Sequence, residues 1–305
     1  MIANQFALVR REIWEHRSIY IVPMVVAIIM SVTMLAVVIG ASAFNKEIEA
    51  AIFGASNLVG DAERRFALTG FFAATSWIFL VALAILTVFY SLDALYGERK
   101  DKSILFWRSL PVTDAETIIS KLLTAVLLLP LVTVAAIIAT HFANLIIFSI
   151  WVMVKGGNAA HLIWGSLALF DNWLAALIVT LASAVWMSPF VGWFLFVSAF
   201  TKRMPLLMAF MPLILIPLIE FIAFRSHYFA DAVGGRGDMM PLFRGTDLEG
   251  FFDEERLRVN EEVISLLGHL DVGQFLVSPS LWTGLVVCGL FTTAAIYIRR
   301  YRDES

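Results

Sequence analysis

Cysteine is almost absent: Cys288 is the single one in 305 residues and lies in an apolar run, which excludes an intrachain disulfide framework and reads as a small buried hydrophobe. Charge is scarce too. With 15% charged residues against 60% hydrophobic ones and a mean hydropathy of +0.84, the composition excludes an ordinary soluble domain. The net charge of −3 comes without a long basic tract, so no nucleic-acid partner is expected. His16, His141, His161, His227 and His269 show neither a close pair nor Cys/His spacing, and no metal site is expected. A phosphate-binding loop is also missing. Gly97 to Ser103 reads GERKDKS, without the second glycine and the strand-turn-helix setting such a loop needs, so this chain is expected to hydrolyse no ATP, to be no enzyme and to hold no cofactor.

What is present is a series of long apolar runs. A membrane crossing takes about 20 apolar residues. Six such spans are expected, over 19–40, 70–92, 122–144, 172–200, 204–224 and 280–298, giving an all-α polytopic membrane protein with one transmembrane domain over 1–305. Residues 1–18 place Ile2, Phe6, Val9 and Ile13 on one helical stripe and predict an amphipathic interfacial helix. They lack the early apolar core and the small-residue cleavage site of a signal peptide, and are expected to be retained. Between the first two spans, Ile48, Ala51, Ile52, Ala55 and Val59 recur at helical spacing, predicting an outer helix on the membrane face. The third run stays apolar past Asn144; ending the span there leaves Leu145 to Val154 as an outer interfacial or re-entrant piece, followed by a connecting loop from Lys155 to Asp171. Pro189 predicts a kink in the fourth span, and Pro212 and Pro217 argue against regular helix in the fifth. Between these two spans, Thr201-Lys202-Arg203 is a tight turn. The large segment 225–279 reads as an extracytoplasmic loop carrying a helix over Phe252 to Leu270. Most Lys and Arg outside that loop fall on the side that also holds both termini, which predicts cytoplasmic termini, while Trp77, Trp151, Trp164, Trp173 and Trp282 gather at the opposite interface.

The long polar interruption from Asp93 to Lys121 organises the rest. Leu110-Pro111 predicts a corner, because the residue before proline is driven out of helical geometry, so a helix through Ser103 to Ser109 should stop there. Thr113-Asp114-Ala115-Glu116 fits a capping box that starts the next helix. Ile104, Leu105, Phe106, Trp107 and Leu110 are too apolar for a loop that meets only water, and they predict a partner surface.

Gly-Glu-Arg-Lys-Asp-Lys-Ser, an apolar run, Ser-Leu-Pro-Val-Thr and a capped helix ending in Lys-Leu-Leu together resemble the first cytoplasmic loop of ABC-2 type transporter permeases. Asp101-Lys102 stands where that family more often has Asp/Asn-Gly. The resemblance, which extends in outline over the whole chain, implies a bacterial exporter subunit in the inner (cytoplasmic) membrane, working as a homodimer or beside a similar permease. It also implies that Glu98, Arg99, Lys102, Ile104, Leu105, Trp107, Arg108, Leu110, Pro111, Val112 and Thr113 couple to a separate ATP-binding cassette subunit, which would hold the ATP and Mg.

Two further sets of residues are candidates for a translocation path. Thr133, Thr140 and Asn144 form a polar stripe on the third span, which serves equally as a source of interhelical hydrogen bonds. Glu220 is the one carboxylate inside the fifth span; it either lines an exit path, pairs with Arg225 or reaches the interface. Glu254-Glu255 and Glu261-Glu262 read as a solvated face, and Arg236-Gly237-Asp238 is a chance-level tripeptide. The alternative class is a membrane protein not driven by ATP, either an intramembrane enzyme or a scaffold.

Overall fold

The computed structural model describes residues 2–44, 61–103, 111–166, 168–237, 241–243 and 265–301. Twelve α-helices account for most of these residues. They are α1 (Ile2–Glu15), α2 (Ser18–Phe44), α3 (Asp61–Lys100), α4 (Asp114–Leu123), α5 (Leu129–Val154), α6 (Ala159–Leu162), α7 (Leu169–Trp186), α8 (Ser188–Phe200), α9 (Pro205–Phe224), α10 (Tyr228–Gly234), α11 (Val272–Val277) and α12 (Pro279–Tyr301). Among the described residues six helical stretches are long and apolar enough to cross a membrane, and they correspond one for one to the expected spans.

Several boundaries differ from expectation, each for a local reason. The third span does not stop at Asn144: α4 and α5 form one rod from Asp114 to Val154, so Leu145 to Val154 is no separate piece. No helix breaker lies between Asn144 and Gly156, which sits at φ +81°, and Leu145, Trp151 and Val152 pack against Phe72, Leu162 and Ile163. A π turn at Thr124–Leu128 joins α4 to α5. Pro130 follows it, and having no N–H to offer the Val126 carbonyl four residues back, it favours a local departure from α geometry.

The fourth span is also revised. In place of one kinked helix over 172–200, α7 ends at Trp186 and α8 begins at Ser188, with Met187 between them and Pro189 in the first turn of α8. In α9, by contrast, the helix runs unbroken through Pro212 and Pro217. The connecting loop after Val154 contains α6, capped by the Asn158 side chain accepting from the His161 N–H at 3.2 Å. Of the helix expected over Phe252 to Leu270, only the end is described, and it is a single 3-10 turn, Leu267–His269. The outer helix expected over Ile48 to Val59 lies outside the described residues.

Ile19 of α2, Leu83, Leu86 and Tyr90 of α3, Leu129 of α5, and Val191 and Leu195 of α8 form the central core. A close approach between helices lies elsewhere, at Gly192. A Cβ on Gly192 of α8 would come 3.0 Å from the Cys288 carbonyl oxygen of α12, so this pair closes only with glycine there. Two spans stand apart: only 6% of the apolar window is buried in α2 and in α9, against 28–39% in the other four.

Candidate functional site

The last turn of α12, the length of α4 from Asp114 to Lys121, the last three turns of α3 and α1 meet at one end of the bundle, where seven ionisable side chains are drawn together. The sequence puts them there by position alone: Lys121 and Arg299 are the charged residues that bound their apolar runs, and Glu98 lies on the turn of α3 that follows the expected span. Glu98 Oε1 lies 3.0 Å from both Arg11 Nη2 and Lys121 Nζ, and its Oε2 lies 2.7 Å from Arg299 Nη1. Arg299 Nε reaches Asp114 Oδ1 at 2.9 Å. Lys121 Nζ also meets Glu12 Oε1 at 3.0 Å, Arg11 Nη2 meets the same oxygen at 2.9 Å, and the Tyr90 hydroxyl donates to Glu12 Oε2 at 2.8 Å.

Glu12 and Lys121 are both 0% exposed. Removing such groups from water costs several kcal/mol per ion, so their retention depends on the pairing. The Glu12, Glu98 and Asp114 carboxylates face the Arg11, Lys121 and Arg299 cations, which leaves the cluster close to neutral. Arg11 also reaches Glu15 Oε2 at 3.2 Å. Burial raises the Glu15 carboxyl above its ordinary range and lowers His16 below that of a free imidazole. Glu12, Glu15 and His16 bring ligand-type atoms within 4.8 Å of one another, but Lys121, Arg11 and Tyr90 already hold the Glu12 oxygens, so cations and a hydroxyl stand where a metal would bind.

Beside this clasp, Arg99 ties α3 to the end of α8. Its Nη2 donates to the carbonyls of Ser198 and, at 2.8 Å, Thr201. The Ser198 hydroxyl donates to Leu92 O at 2.7 Å and accepts from the Leu95 and Tyr96 N–H groups at 3.0 and 2.9 Å. Glu98 and Arg99 are thus directed inward, toward the chain's own helices. Lys102 is exposed at φ +58° in the turn that ends α3. Ile104, Leu105, Trp107, Arg108 and Leu110 lie outside the described residues. Pro111 and Thr113 are exposed and Val112 is half-buried. The capping box is present as read: Thr113 Oγ1 accepts from the Glu116 N–H at 3.2 Å and Glu116 Oε2 accepts from the Thr113 N–H at 3.0 Å.

The two candidate translocation sets are not brought together. Thr133 and Thr140 are buried, and their hydroxyls turn back on their own helix, to Leu129 O at 2.9 Å and Ala136 O at 2.8 Å. Asn144 is 2% exposed, beside His141, whose ring packs on Phe72 with centroids 4.4 Å apart. Glu220 accepts from the Tyr228 and Phe229 N–H groups at 2.8 and 2.9 Å and from the Ser226 hydroxyl at 2.8 Å, so it caps α10 and does not pair with Arg225.

Sequence reasoning missed Glu12, Tyr90, Lys121 and Arg299 as a site. The available signal was that charged residues at the ends of different spans sit at one depth, where ionised groups must find each other.

These features define a multi-pass helical membrane protein whose terminal helices are locked to the polar stretch between its second and third spans. Comparison with family models, curated proteins and solved structures finds no match.

Proposed function

We propose that the chain is the permease subunit of an ATP-driven exporter of the ABC-2 type, seated in the bacterial inner membrane with both termini in the cytoplasm. A separate ATP-binding cassette subunit docks on the apolar loop around Trp107 and Leu110. One observation carries this reading: the loop leaves from α3 and returns through α4, and both of its roots are held in the ion clasp with α1 and α12. A displacement of the loop by the ATPase is therefore delivered at once to four helices, and through Arg99 to α8. Glu98 and Arg99 serve the coupling from inside, as the anchors of the loop, while Lys102, Ile104, Leu105, Trp107, Arg108 and Leu110 to Thr113 present it.

Two copies of the permease, or one with a similar chain, are proposed to complete the transporter. The scant burial of α2 and α9 supports this, since each leaves a long apolar face for lipid or a partner. The outward-facing Phe6 and Trp14, 75% and 73% exposed, support α1 lying on the membrane surface while Glu12 points into the bundle. Thr133, Thr140, Asn144 and Glu220 remain the proposed path residues.

The test is co-expression with an ATP-binding subunit encoded beside the gene. The intact permease is expected to co-purify with it, and Leu110→Asp or Trp107→Ala to abolish that association with no change in thermal unfolding. Arg99→Glu is a poorer probe, because it also breaks the α3–α8 junction. Association that survives both loop substitutions would overturn the docking site, and a chain that binds no ATPase would be a scaffold or intramembrane enzyme.

A further inference from the structure

A cleft of 790 Å³ opens beside the clasp, between the starts of α2 and α9 and one face of α3. That volume is within the range of small-molecule sites, about 300 to 1,000 Å³. Its lining on α3 follows helical spacing, from Ile85 through Phe89 to Asp93 and Tyr96, about 16 Å at 1.5 Å per residue. The composition changes along that length. The α3 lining is apolar from Ile85 to Phe89 and polar at Asp93 and Tyr96, while Ser18 and Val22 of α2, His16, and Leu206 and Leu207 of α9 complete the wall.

Asp93 is the one carboxylate in the lining, and no Lys or Arg accompanies it; Lys202 and Arg203, in the turn before α9, are not part of the wall. Among the described residues, no cation pairs with Asp93. His16 is the other titratable group there. Burial holds its imidazole toward the neutral form, so the local charge is negative at neutral pH. Phe89, Tyr90 and Tyr96 add three aromatic rings, whose faces attract cations.

We propose that this cleft binds a cationic amphiphile, a single ammonium head on a hydrocarbon tail, with the head at Asp93 and the tail along Phe89 and Ile85. Such a molecule dissolves in a membrane leaflet with its head at the polar boundary, and Asp93 is the first charged residue after the apolar run 70–92. A phospholipid suits the cleft less well, since its phosphate would stand beside Asp93 with no Lys or Arg in the wall to meet it. Only the identification of this amphiphile as cargo rests on the exporter reading. Binding is measured without any ATPase, so either result can fail alone.

The experiment uses the full chain in phosphatidylcholine nanodiscs with an alkylammonium carrying a diazirine in its tail, and an alkyl sulfate of equal length as control. Irradiation is expected to label peptides containing Val22, Ile85 to Phe89, and Leu206-Leu207 with the ammonium probe. Asp93→Asn should cut that labelling roughly tenfold, the loss of one charge contact with cation–π support, and Asp93→Glu should restore it. Leu207→Trp, which narrows the cleft at a half-exposed position, should reduce labelling at an unchanged melting temperature. Equal labelling by the sulfate probe, indifference to Asp93→Asn, or displacement of the ammonium probe by an equal mole fraction of phosphatidylethanolamine would overturn the proposal.

Discussion

At the end of the bundle that joins the terminal helices, Glu98 of α3 alone meets side chains from α1, α4 and α12. At the opposite end, among the described residues, Glu220, Asp171 and Arg236 bond mostly to backbone. Glu220 caps α10, Asp171 accepts from Ser265 and from the Leu267 N–H at 3.4 Å, and Arg236 donates to the carbonyls of Trp186, at 3.1 Å, and Ser280. Ion pairs between side chains fix helices that are far apart in sequence into one register. The bonds at the other end also join distant segments, Arg236 to Trp186 and Ser280 and Asp171 to Leu267, but they are separate bonds and share no common carboxylate. The first end is held by one shared ionic network, the second by separate hydrogen bonds.

The largest break in this contrast should come from Lys121→Ala, which removes the fully buried cation that Glu12 and Glu98 share and leaves Arg11 alone between them. Removing one partner of a buried pair costs about 3 to 5 kcal/mol, to be read from denaturant unfolding in detergent. The double variant Lys121→Met with Glu12→Leu should recover at least half of the loss, since apolar groups of similar size replace a buried pair at little cost. Next in size is Gly192→Leu. The α8–α12 contact has no room for the side chain, and overpacking of this kind costs about 1 to 3 kcal/mol, seen as a lower melting temperature.

Arg236→Ala probes the opposite end. Its guanidinium lies 4.4 Å from the centroid of the Trp186 ring, and losing that contact should cost about 1 kcal/mol, well below the effect at Lys121. The smallest effect is a pH dependence at His16. Because burial lowers its pKa, the folded chain binds fewer protons than the unfolded one below the ordinary value of 6.5; its contribution is complete above that pH and is lost as pH falls toward the lowered value. Glu15, raised by burial, acts in the opposite sense at lower pH, so the melting temperature of wild type minus that of His16→Gln, followed from pH 8 to 5, isolates the histidine.

The spans and the Thr113 capping box were legible because each is a local pattern: a run of apolar residues, or an oxygen three residues from an N–H. The clasp was not. Lys121 and Arg299 sit where any Lys or Arg signals orientation, and nothing local to either shows that Glu12 and Glu98 wait at the same depth. Leu145 to Val154 was misread because a span was assumed to end once the bilayer was crossed, whereas a helix ends where its backbone is interrupted, here at Gly156. The break at Met187 was half legible: Pro189 announced a disturbance, but whether a proline bends a helix or divides it depends on its neighbours, as the unbroken α9 demonstrates with Pro212 and Pro217.

The π turn at Thr124–Leu128 bears on how the two halves of its rod are aimed. One extra residue in a turn advances everything beyond it by about 100° around the axis, since 3.6 residues complete a circle. With that offset in place, Lys121 below it and Thr133, Ile137 and Thr140 above it are all buried. Tightening the turn to ordinary pitch would swing the upper half by more than a quarter of a revolution while the clasp stayed put, giving this long helix an internal swivel.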